Sequence, residues 1–234
     1  MASRQIVALG GGGFSIESDN PLLDRFIMAL TQKRKPRVCF VPTASGDSDT
    51  YVTRFYRAFP ASRCTPTHLS LFHGYPSLRE VLCNQDLIYV GGGNTANMLA
   101  LWRLHKLDTA LKAAWQAGVV LCGVSAGAMC WFEGGITDSF GQRLSVFRDG
   151  LGFLKGGFCP HYDGEPERRP ALKRAIRNGL FPTIAADDGV ALHFINRRLV
   201  EAVSSRPTAR AYRVHLVNGN VVEEPIPTRY LGNS

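Results

Sequence analysis

Short apolar runs alternate with longer amphipathic stretches through the first half of this chain, and this alternation constrains the fold more than any other feature. The runs are rich in valine, isoleucine and leucine, as is typical of strands buried on both faces. They lie at residues 5–9, 37–41, 87–90 and 119–124. The amphipathic stretches predict helices over residues 20–32, 50–59, 95–101 and 108–117. The pattern predicts an α/β fold: a mostly parallel open sheet with helices on both faces.

Strands follow one another closely after Pro182. The sequence predicts them over residues 183–186, 190–195, 199–203 and 211–216, with turns at residues 196–198 and 218–220. Hairpins of this kind usually extend the edge of an existing sheet. We therefore expect C-terminal hairpin strands that extend the sheet, and a single α/β domain over residues 1–234.

The composition is that of an enzyme-sized globular domain. Of the 234 residues, 45% are apolar and 20% are charged, which excludes a disordered chain. No run approaches the roughly 20 apolar residues that a membrane helix needs. The N-terminus also lacks the apolar core of a signal peptide. We expect a cytoplasmic protein that does not bind membranes.

Six cysteines and a net charge of +8 raise two further classes of function. The cysteines show no Cys-x-x-Cys spacing, and no His, Cys, Asp or Glu cluster has the spacing of metal ligands. We therefore expect no disulfide, no metal site and no cofactor. The basic residues are dispersed and lack a nucleic-acid reader motif, so we expect no nucleic-acid partner.

A Gly-x-Ser-x-Gly motif at residues 123–127 is the strongest catalytic signal. It directly follows the most apolar run and directly precedes a helical pattern over residues 126–132. This is the context of a nucleophile elbow, in which a sharp strand-to-helix turn exposes the serine. The alternative is a tight turn whose serine merely caps the helix. The flanking pattern favours Ser125 as a nucleophile.

A serine nucleophile needs a base and an orienting carboxylate. Of the six histidines, His161 is the most informative, because it lies in a polar loop after a strand-like run. The others lie in apolar helix or strand patterns or in a segment without a clear pattern. The sequence spacing alone does not choose among the carboxylates, which are Asp138, Asp163, Asp187 and Asp188.

Two further glycine clusters follow predicted strands. Residues 91–95 read Gly-Gly-Gly-Asn-Thr, and their exposed amides can supply half of an oxyanion hole. Phosphate binding is the rival interpretation, but the P-loop lysine motif is absent. Residues 10–13 are all glycine, yet the third glycine of a dinucleotide fingerprint is missing, which argues against a nucleotide site.

Together, these motifs closely resemble the peptidase E (aspartyl dipeptidase) and cyanophycinase group of serine peptidases, relatives of the class I glutamine amidotransferases. The resemblance covers most of the chain. Its strongest elements are residues 90–95 and 123–128, supported by residues 10–14, 42–44 and 138–139 and by the His161 loop. The resemblance implies the amidotransferase-like fold, with short peptides as substrates.

The resemblance also assigns roles to single residues. It makes Ser125 the nucleophile and His161 its base, and the amides of Gly93 and Ala126 form the oxyanion hole. The third position of the family is usually a glutamate, whereas this chain has Asp188 before Gly-Val-Ala-Leu. Aspartate is one methylene shorter and needs a backbone shift to reach the histidine, so Asp188 ranks first, with Asp187 and Asp138 behind it.

The family prefers acidic substrates, which would require a cation near the site. Arg168 and Arg169 follow the His161 loop and can receive a carboxylate through a bidentate pair. In the competing interpretation they belong to the solvated face of a helix whose apolar stripe contains Leu172, Ala175 and Ile176.

The leading prediction is a serine dipeptidase or aminopeptidase that prefers an N-terminal aspartate and works through an acyl-enzyme. The alternatives are a cyanophycinase-like isopeptidase acting on an Asp-containing polymer, and a catalytically silent domain that binds a small acidic ligand. Glutamine amidotransfer is disfavoured because it uses a thiolate at the elbow, where this chain has Ser125. The sequence is compatible with a homodimer.

Overall fold

The computed structural model describes residues 3–73, 77–141 and 143–233 and contains two β-sheets. The strands are Gln5–Leu9 (β1), Arg37–Val41 (β2), Thr65–His68 (β3), Leu87–Val90 (β4), Val120–Val124 (β5), Gly134–Thr137 (β6), Ser145–Phe147 (β7), Gly157–Cys159 (β8), Thr183–Ala186 (β9), Val190–Ile195 (β10), Arg198–Ser204 (β11), Ala211–Val217 (β12), Asn220–Ile226 (β13) and Thr228–Tyr230 (β14). The helices are Leu22–Ala29 (α1), Asp49–Ala58 (α2), Leu78–Cys83 (α3), Thr95–His105 (α4), Leu107–Gln116 (α5), Ala126–Met129 (α6) and Arg168–Arg177 (α7).

The larger sheet has eight strands in the order β14-β11-β10-β1-β5-β4-β2-β3. Five neighbouring strands of this sheet are all parallel, so their carboxyl ends lie along one edge. They are β1, β5, β4, β2 and β3. The hairpin of β10 and β11 adds to β1 in antiparallel fashion, as predicted. The predicted fold class, a mostly parallel sheet in an α/β protein, is confirmed.

Helices cover both faces of this sheet because its strands alternate between two apolar clusters. Ile6 and Ala8 of β1 belong to a cluster that includes α4 and α5, whereas Val7 and Leu9 belong to one that includes α1 and α2. The four predicted strands and four predicted helices of the first half are present, and their ends differ from the prediction by at most four residues. The largest difference is at α4, which continues to His105 before Lys106 adopts a left-handed conformation with φ of 60°.

The second sheet has six strands in the order β13-β12-β9-β8-β6-β7. Here the structure differs in one detail from the expected sheet extension. Strands β9 and β12 pair with each other and not with the larger sheet. Strand β9 also pairs in parallel with β8, the three-residue strand that corresponds to the strand-like run before His161. Sheet partners over such sequence distances are set by tertiary pairing, which local hairpin spacing does not encode.

The predicted apolar stripe of α7 packs against this second sheet. Leu172, Ala175 and Ile176 are buried in a cluster with Ile136 and Cys159. All six cysteines are free thiols, and five of them are buried. Over the described ranges, no helix combines the length and apolar character needed to traverse a bilayer.

Candidate active site

Ser125 lies between β5 and α6, at the edge where the parallel strands end. Its backbone has φ of 55° and ψ of −114°, a sparsely populated conformation for a residue with a side chain. The Ser125 N–H donates to the Leu9 carbonyl at the end of β1, with 3.1 Å between nitrogen and oxygen. The strand and helix that the motif requires around Ser125 are therefore both present.

The two glycines of the motif allow the close packing that holds this turn. A Cβ at Gly123 would lie 2.1 Å from the Gly127 carbonyl oxygen. A Cβ at Gly127 would lie 2.4 Å from the Val90 carbonyl oxygen of β4. Both neighbours are backbone atoms that cannot rotate away. The position of Ser125 is thus set by direct contact between α6 and two adjacent strands.

Three successive amides at residues 92–94 belong to the loop after β4, and they differ in their partners. The Gly92 N–H donates to the Tyr51 hydroxyl at 3.2 Å, and the Asn94 N–H donates to the Ala44 carbonyl at 2.8 Å. Between them, the Gly93 N–H has no acceptor among the residues that the structure describes. A Cβ at Gly92 would lie 3.3 Å from the Ser125 Cβ, so this loop is in contact range of the serine.

Ala126 directly follows Ser125 and supplies a second amide. It is the first residue of α6, and first-turn N–H groups have no partner within their own helix. Gly93 requires glycine for two reasons, a φ of 139° and a distance of 2.1 Å between an added Cβ and the Ala44 oxygen. Of the two amides predicted to form the oxyanion hole, that of Ala126 directly follows Ser125 in the chain, and that of Gly93 adjoins Gly92, which is in contact range of the serine.

His161 follows β8 and is attached to the same end of β1 as Ser125. Its N–H donates to the Gly10 carbonyl at 3.1 Å, one residue after the carbonyl that binds Ser125. The structure therefore ties the two residues to consecutive positions of one strand end, although 36 positions separate them in sequence. The imidazole is 14% exposed, so it is mostly buried but still accessible from solvent.

Asp188 is the carboxylate that contacts this histidine. The His161 Nδ1–H donates to Asp188 Oδ1 at 2.6 Å. This hydrogen bond lowers the pKa of the Asp188 carboxyl below its usual value, and the positive charge of Arg206 adds to the effect. An ionised carboxylate only accepts hydrogen bonds, so Nδ1 carries the proton and Nε2 is left to accept one.

Two glycines explain how the shorter aspartate reaches the imidazole. A Cβ at Gly11 would lie 1.9 Å from Asp188 Oδ1, and a Cβ at Gly164 would lie 2.4 Å from Oδ2. The carboxylate therefore fills the space that two side chains would otherwise occupy. Close approach of these two loop backbones compensates for the missing methylene.

The two carboxylates ranked behind Asp188 make different contacts. Asp187 is buried and accepts the Arg210 N–H through Oδ2 at 2.9 Å, and burial raises its pKa. Asp138 is exposed at the end of β6. Its neighbour Ser139 binds the 91–95 loop, since the Asn94 side-chain amide donates to the Ser139 carbonyl at 2.9 Å.

The two arginines predicted to bind substrate are both paired within the protein. Arg168 is 3% exposed, and its guanidinium donates to both carboxylate oxygens of Glu165, at 2.7 and 3.3 Å. Arg169 is exposed, pairs with Glu223 at 2.9 Å and lies over the rings of Tyr162 and Tyr212.

Sequence reasoning missed three residues that shape the site: Tyr51, Asp163 as a backbone acceptor, and Arg206. Tyr51 fixes the 91–95 loop from helix α2, and its hydroxyl also bonds to Ser15. Asp163 and Arg206 contact the backbone of Asp188. No motif marks Tyr51 or Arg206, because each acts on residues far away in sequence.

The family model for peptidase family S51 matches residues 6–202. The uncharacterized peptidase YgaJ of Bacillus subtilis (strain 168) is 54% identical over 231 residues, covering 98% of this chain and 100% of that protein. The chain belongs to peptidase family S51.

Members of this family are serine peptidases, and the predictions of a serine-type peptidase and of its family are confirmed. Peptidase E of Shewanella amazonensis (strain ATCC BAA-1098 / SB2B) is a more distant relative, 26% identical over 190 residues, with 75% of this chain and 79% of that protein covered. The crystal structure of a peptidase from an acI-B1 Actinobacterium has the same fold, with a TM-score of 0.74 at 18% identity over 97% of this chain and 95% of the other.

Proposed function

We propose that this S51 peptidase is a dipeptidase that hydrolyses short peptides with an N-terminal aspartate through an acyl-enzyme on Ser125. The observation that carries the proposal is the attachment of Ser125 and His161 to the consecutive carbonyls of Leu9 and Gly10, with Asp188 bonded to Nδ1 of the imidazole. Nucleophilic catalysis by a serine needs a base near the hydroxyl and a third group that orients the base, and these residues can supply both.

In the proposed first half-reaction, the Ser125 hydroxyl attacks the peptide carbonyl carbon and His161 Nε2 takes its proton. The carbonyl oxygen becomes an oxyanion, which the N–H groups of Gly93 and Ala126 stabilise by hydrogen bonds. Collapse of the tetrahedral intermediate breaks the C–N bond. The leaving amine takes the proton back from His161, and an ester on Ser125 remains.

In the second half-reaction, water attacks the ester carbonyl while His161 again accepts a proton. The proton then passes to Ser125, and the acid product leaves. Asp188 stays ionised throughout and stabilises the imidazolium that forms twice in the cycle. Its lowered pKa keeps it ionised across the neutral range.

Arg168 is the better supported of the two cations for an acidic substrate. The charge of Arg168 contributes to the lowered pKa of Asp188. The charge of Arg169 instead acts to lower the pKa of Asp187. Glu165, the partner of Arg168, lies in the turn after His161 and donates its N–H to the His161 carbonyl at 3.1 Å. In this proposal a substrate carboxylate takes the place of Glu165, which is 46% exposed, on the Arg168 guanidinium.

The test is hydrolysis of Asp-Leu, Asn-Leu and Ala-Leu by the wild type and by Arg168→Lys and Arg169→Lys. A bidentate arginine–carboxylate pair is worth about 1.5–3 kcal/mol, so Asp-Leu should exceed Asn-Leu by roughly 10- to 100-fold in kcat/KM. Lysine keeps the charge but loses the bidentate geometry. Arg168→Lys should therefore lower the ratio, and Arg169→Lys is the matched control.

Equal wild-type rates on the three dipeptides would reject the acidic preference and leave the serine mechanism intact. A preference that survives both substitutions would reject both arginines as its source. A cytoplasmic location, the absence of nucleic-acid and membrane partners, and a homodimer remain predictions, best tested by fractionation and by sedimentation.

A further inference from the structure

The peptide units on both sides of Asp188 are held by one pair of side chains. The Asp188 N–H donates to Asp163 Oδ1 at 2.8 Å, and the Asp188 carbonyl accepts from Arg206 Nη2. The same Nη2 donates to Asp163 Oδ2 at 2.8 Å. These contacts close a ring that starts and ends at Asp188. We call Asp163 and Arg206 the Asp188 clamp.

The clamp is anchored to the loop that follows β1. Arg206 Nε lies 3.8 Å from a Glu17 oxygen, and the other Glu17 oxygen accepts the Ser205 hydroxyl at 2.6 Å. Next to the clamp, the Gly189 N–H donates to the Gly11 carbonyl at 3.0 Å. The backbone that carries Asp188 is therefore fastened to the same loop whose glycine admits its carboxylate.

A fixed backbone affects the position of the carboxylate more for an aspartate than for the longer glutamate. A short side chain has few rotatable bonds, so the place of its carboxylate is set by the backbone. A backbone shift of about 1 Å near the chemistry can reduce turnover about 100-fold. The clamp fixes the backbone from both peptide units at once. It therefore controls the hydrogen bond at His161 without itself touching the reacting atoms.

We propose that Asp163 and Arg206 are positioning residues that hold Asp188 against His161 and so allow an aspartate to act as the third member of the triad. The inference rests on the proposed function, since it assigns the clamp a role through Asp188. In the competing account, Asp163 and Arg206 form an ordinary surface ion pair. Both side chains are 39% exposed, and such pairs typically contribute little to stability.

The test uses Arg206→Met, which keeps the side-chain length without donors, and Asp163→Asn, which keeps the shape without the charge. The chain offers a matched control pair in Arg103 and Asp149. Arg103 donates to both Asp149 carboxylate oxygens, at 2.7 and 3.0 Å, and to the Asp149 carbonyl at 2.7 Å. Arg103→Met and Asp149→Asn therefore remove a similar surface pair away from the catalytic residues.

We expect kcat on a dipeptide substrate to fall about 10- to 100-fold in both clamp variants, with KM within about twofold of the wild type. The acid limb of the kcat/KM profile should move to lower pH, because the carboxylate of Asp188 is no longer held at the site. Arg206→Lys, which keeps a donor and the charge, should restore part of kcat. The control pair should change neither kcat nor the profile.

A double-mutant cycle separates positioning from any direct contact with substrate. In an Asp188→Asn background, Arg206→Met should cost less than about twofold, because its effect passes through a carboxylate that is already lost. An undiminished loss in that background would overturn the inference. So would wild-type kcat with an unmoved pH profile in both clamp variants.

Thermal unfolding and Ser125→Ala complete the design. A clamp variant that loses stability is assayed at a temperature where it is fully folded, and Arg206→Lys supplies a milder change at the same position. Failure of the proposed function is recognised separately, because Ser125→Ala would then retain activity. If Ser125→Ala is inactive and the clamp variants behave like the control pair, the clamp inference alone fails.

Discussion

The two halves of the site are built by different kinds of contact. In the half that contains Ser125, the proposed nucleophile, Gly123 and Gly127 let α6 contact the backbones of β4 and β5, and these backbone contacts set the position of Ser125. In the half that contains His161, the proposed base, loops from three parts of the chain bring His161, Asp188 and Arg206 together through hydrogen bonds. Close backbone packing fixes the first half, which we call the nucleophile half. Hydrogen bonds between side chains and loops fix the second, which we call the base half. We therefore expect substitutions in the two halves to fail in different ways.

The largest expected effect is that of Ser125→Ala. Removing one small hydroxyl at a partly exposed turn creates little cavity, so the fold should persist, while hydrolysis should fall by roughly 10⁴- to 10⁶-fold. Steady-state hydrolysis of a dipeptide and circular dichroism of the same sample measure the two quantities. Retention of more than about a tenth of the wild-type rate would contradict the role given to Ser125.

The next effect tests the base half. Asp188→Asn keeps the shape but presents an amide to His161, which disfavours the productive tautomer, so kcat should fall about 10³- to 10⁴-fold. Asp187→Asn and Asp138→Asn are the comparisons, because neither carboxylate contacts the imidazole. A loss in either of them equal to that of Asp188→Asn would move the third role to that residue.

A pair of glycine substitutions compares the halves directly. Gly123→Ala places a Cβ against the backbone oxygen of Gly127 and should destabilise the fold by about 1–3 kcal/mol or more. Gly11→Ala places a Cβ against the Asp188 carboxylate, a side-chain end that can rotate away. It should lower kcat about 100-fold and change the unfolding midpoint much less. Equal losses of stability in the two variants would contradict the distinction.

The smallest effect concerns a carboxyl behind the nucleophile half. Burial raises the pKa of Asp24 to about 7, so the folded state holds this proton between about pH 4 and pH 7 while the unfolded state releases it. Stability should therefore fall as pH rises through that window, by up to about 1.4 kcal/mol per pH unit. Asp24→Asn should remove this slope in urea unfolding measured at pH 5, 6, 7 and 8. An unchanged slope would show that Asp24 is ionised in the folded protein.

The sequence could predict the nucleophile half because its signals are local. An apolar run, two glycines and a helical pattern adjoin Ser125, and residues 91–95 repeat the arrangement after β4. The base half depends on long-range pairing. Strands β6 and β8 have four and three residues, too short to show a periodic pattern, and β9 finds its partners only in the folded chain. Arg206 has no local pattern at all, since its partners lie between 18 and 189 positions away in sequence.

The sequence could not decide which carboxylate contacts His161, for the same reason. Asp187 and Asp188 are adjacent and chemically alike, so no pattern separates them. The difference arises because Gly11 and Gly164 leave room for one carboxylate, while the Arg210 amide binds the other. This space exists only in the folded chain, so the sequence pattern does not reveal it.

The most direct test of the account is the rate at which a fluorophosphonate labels the protein, followed by intact mass and peptide mapping. The account predicts a single adduct on Ser125, a labelling rate that falls by a similar factor to kcat/KM in Asp188→Asn, and no adduct in Ser125→Ala. Undiminished labelling of Ser125→Ala, or an adduct mapped to another residue of the wild type, would contradict it.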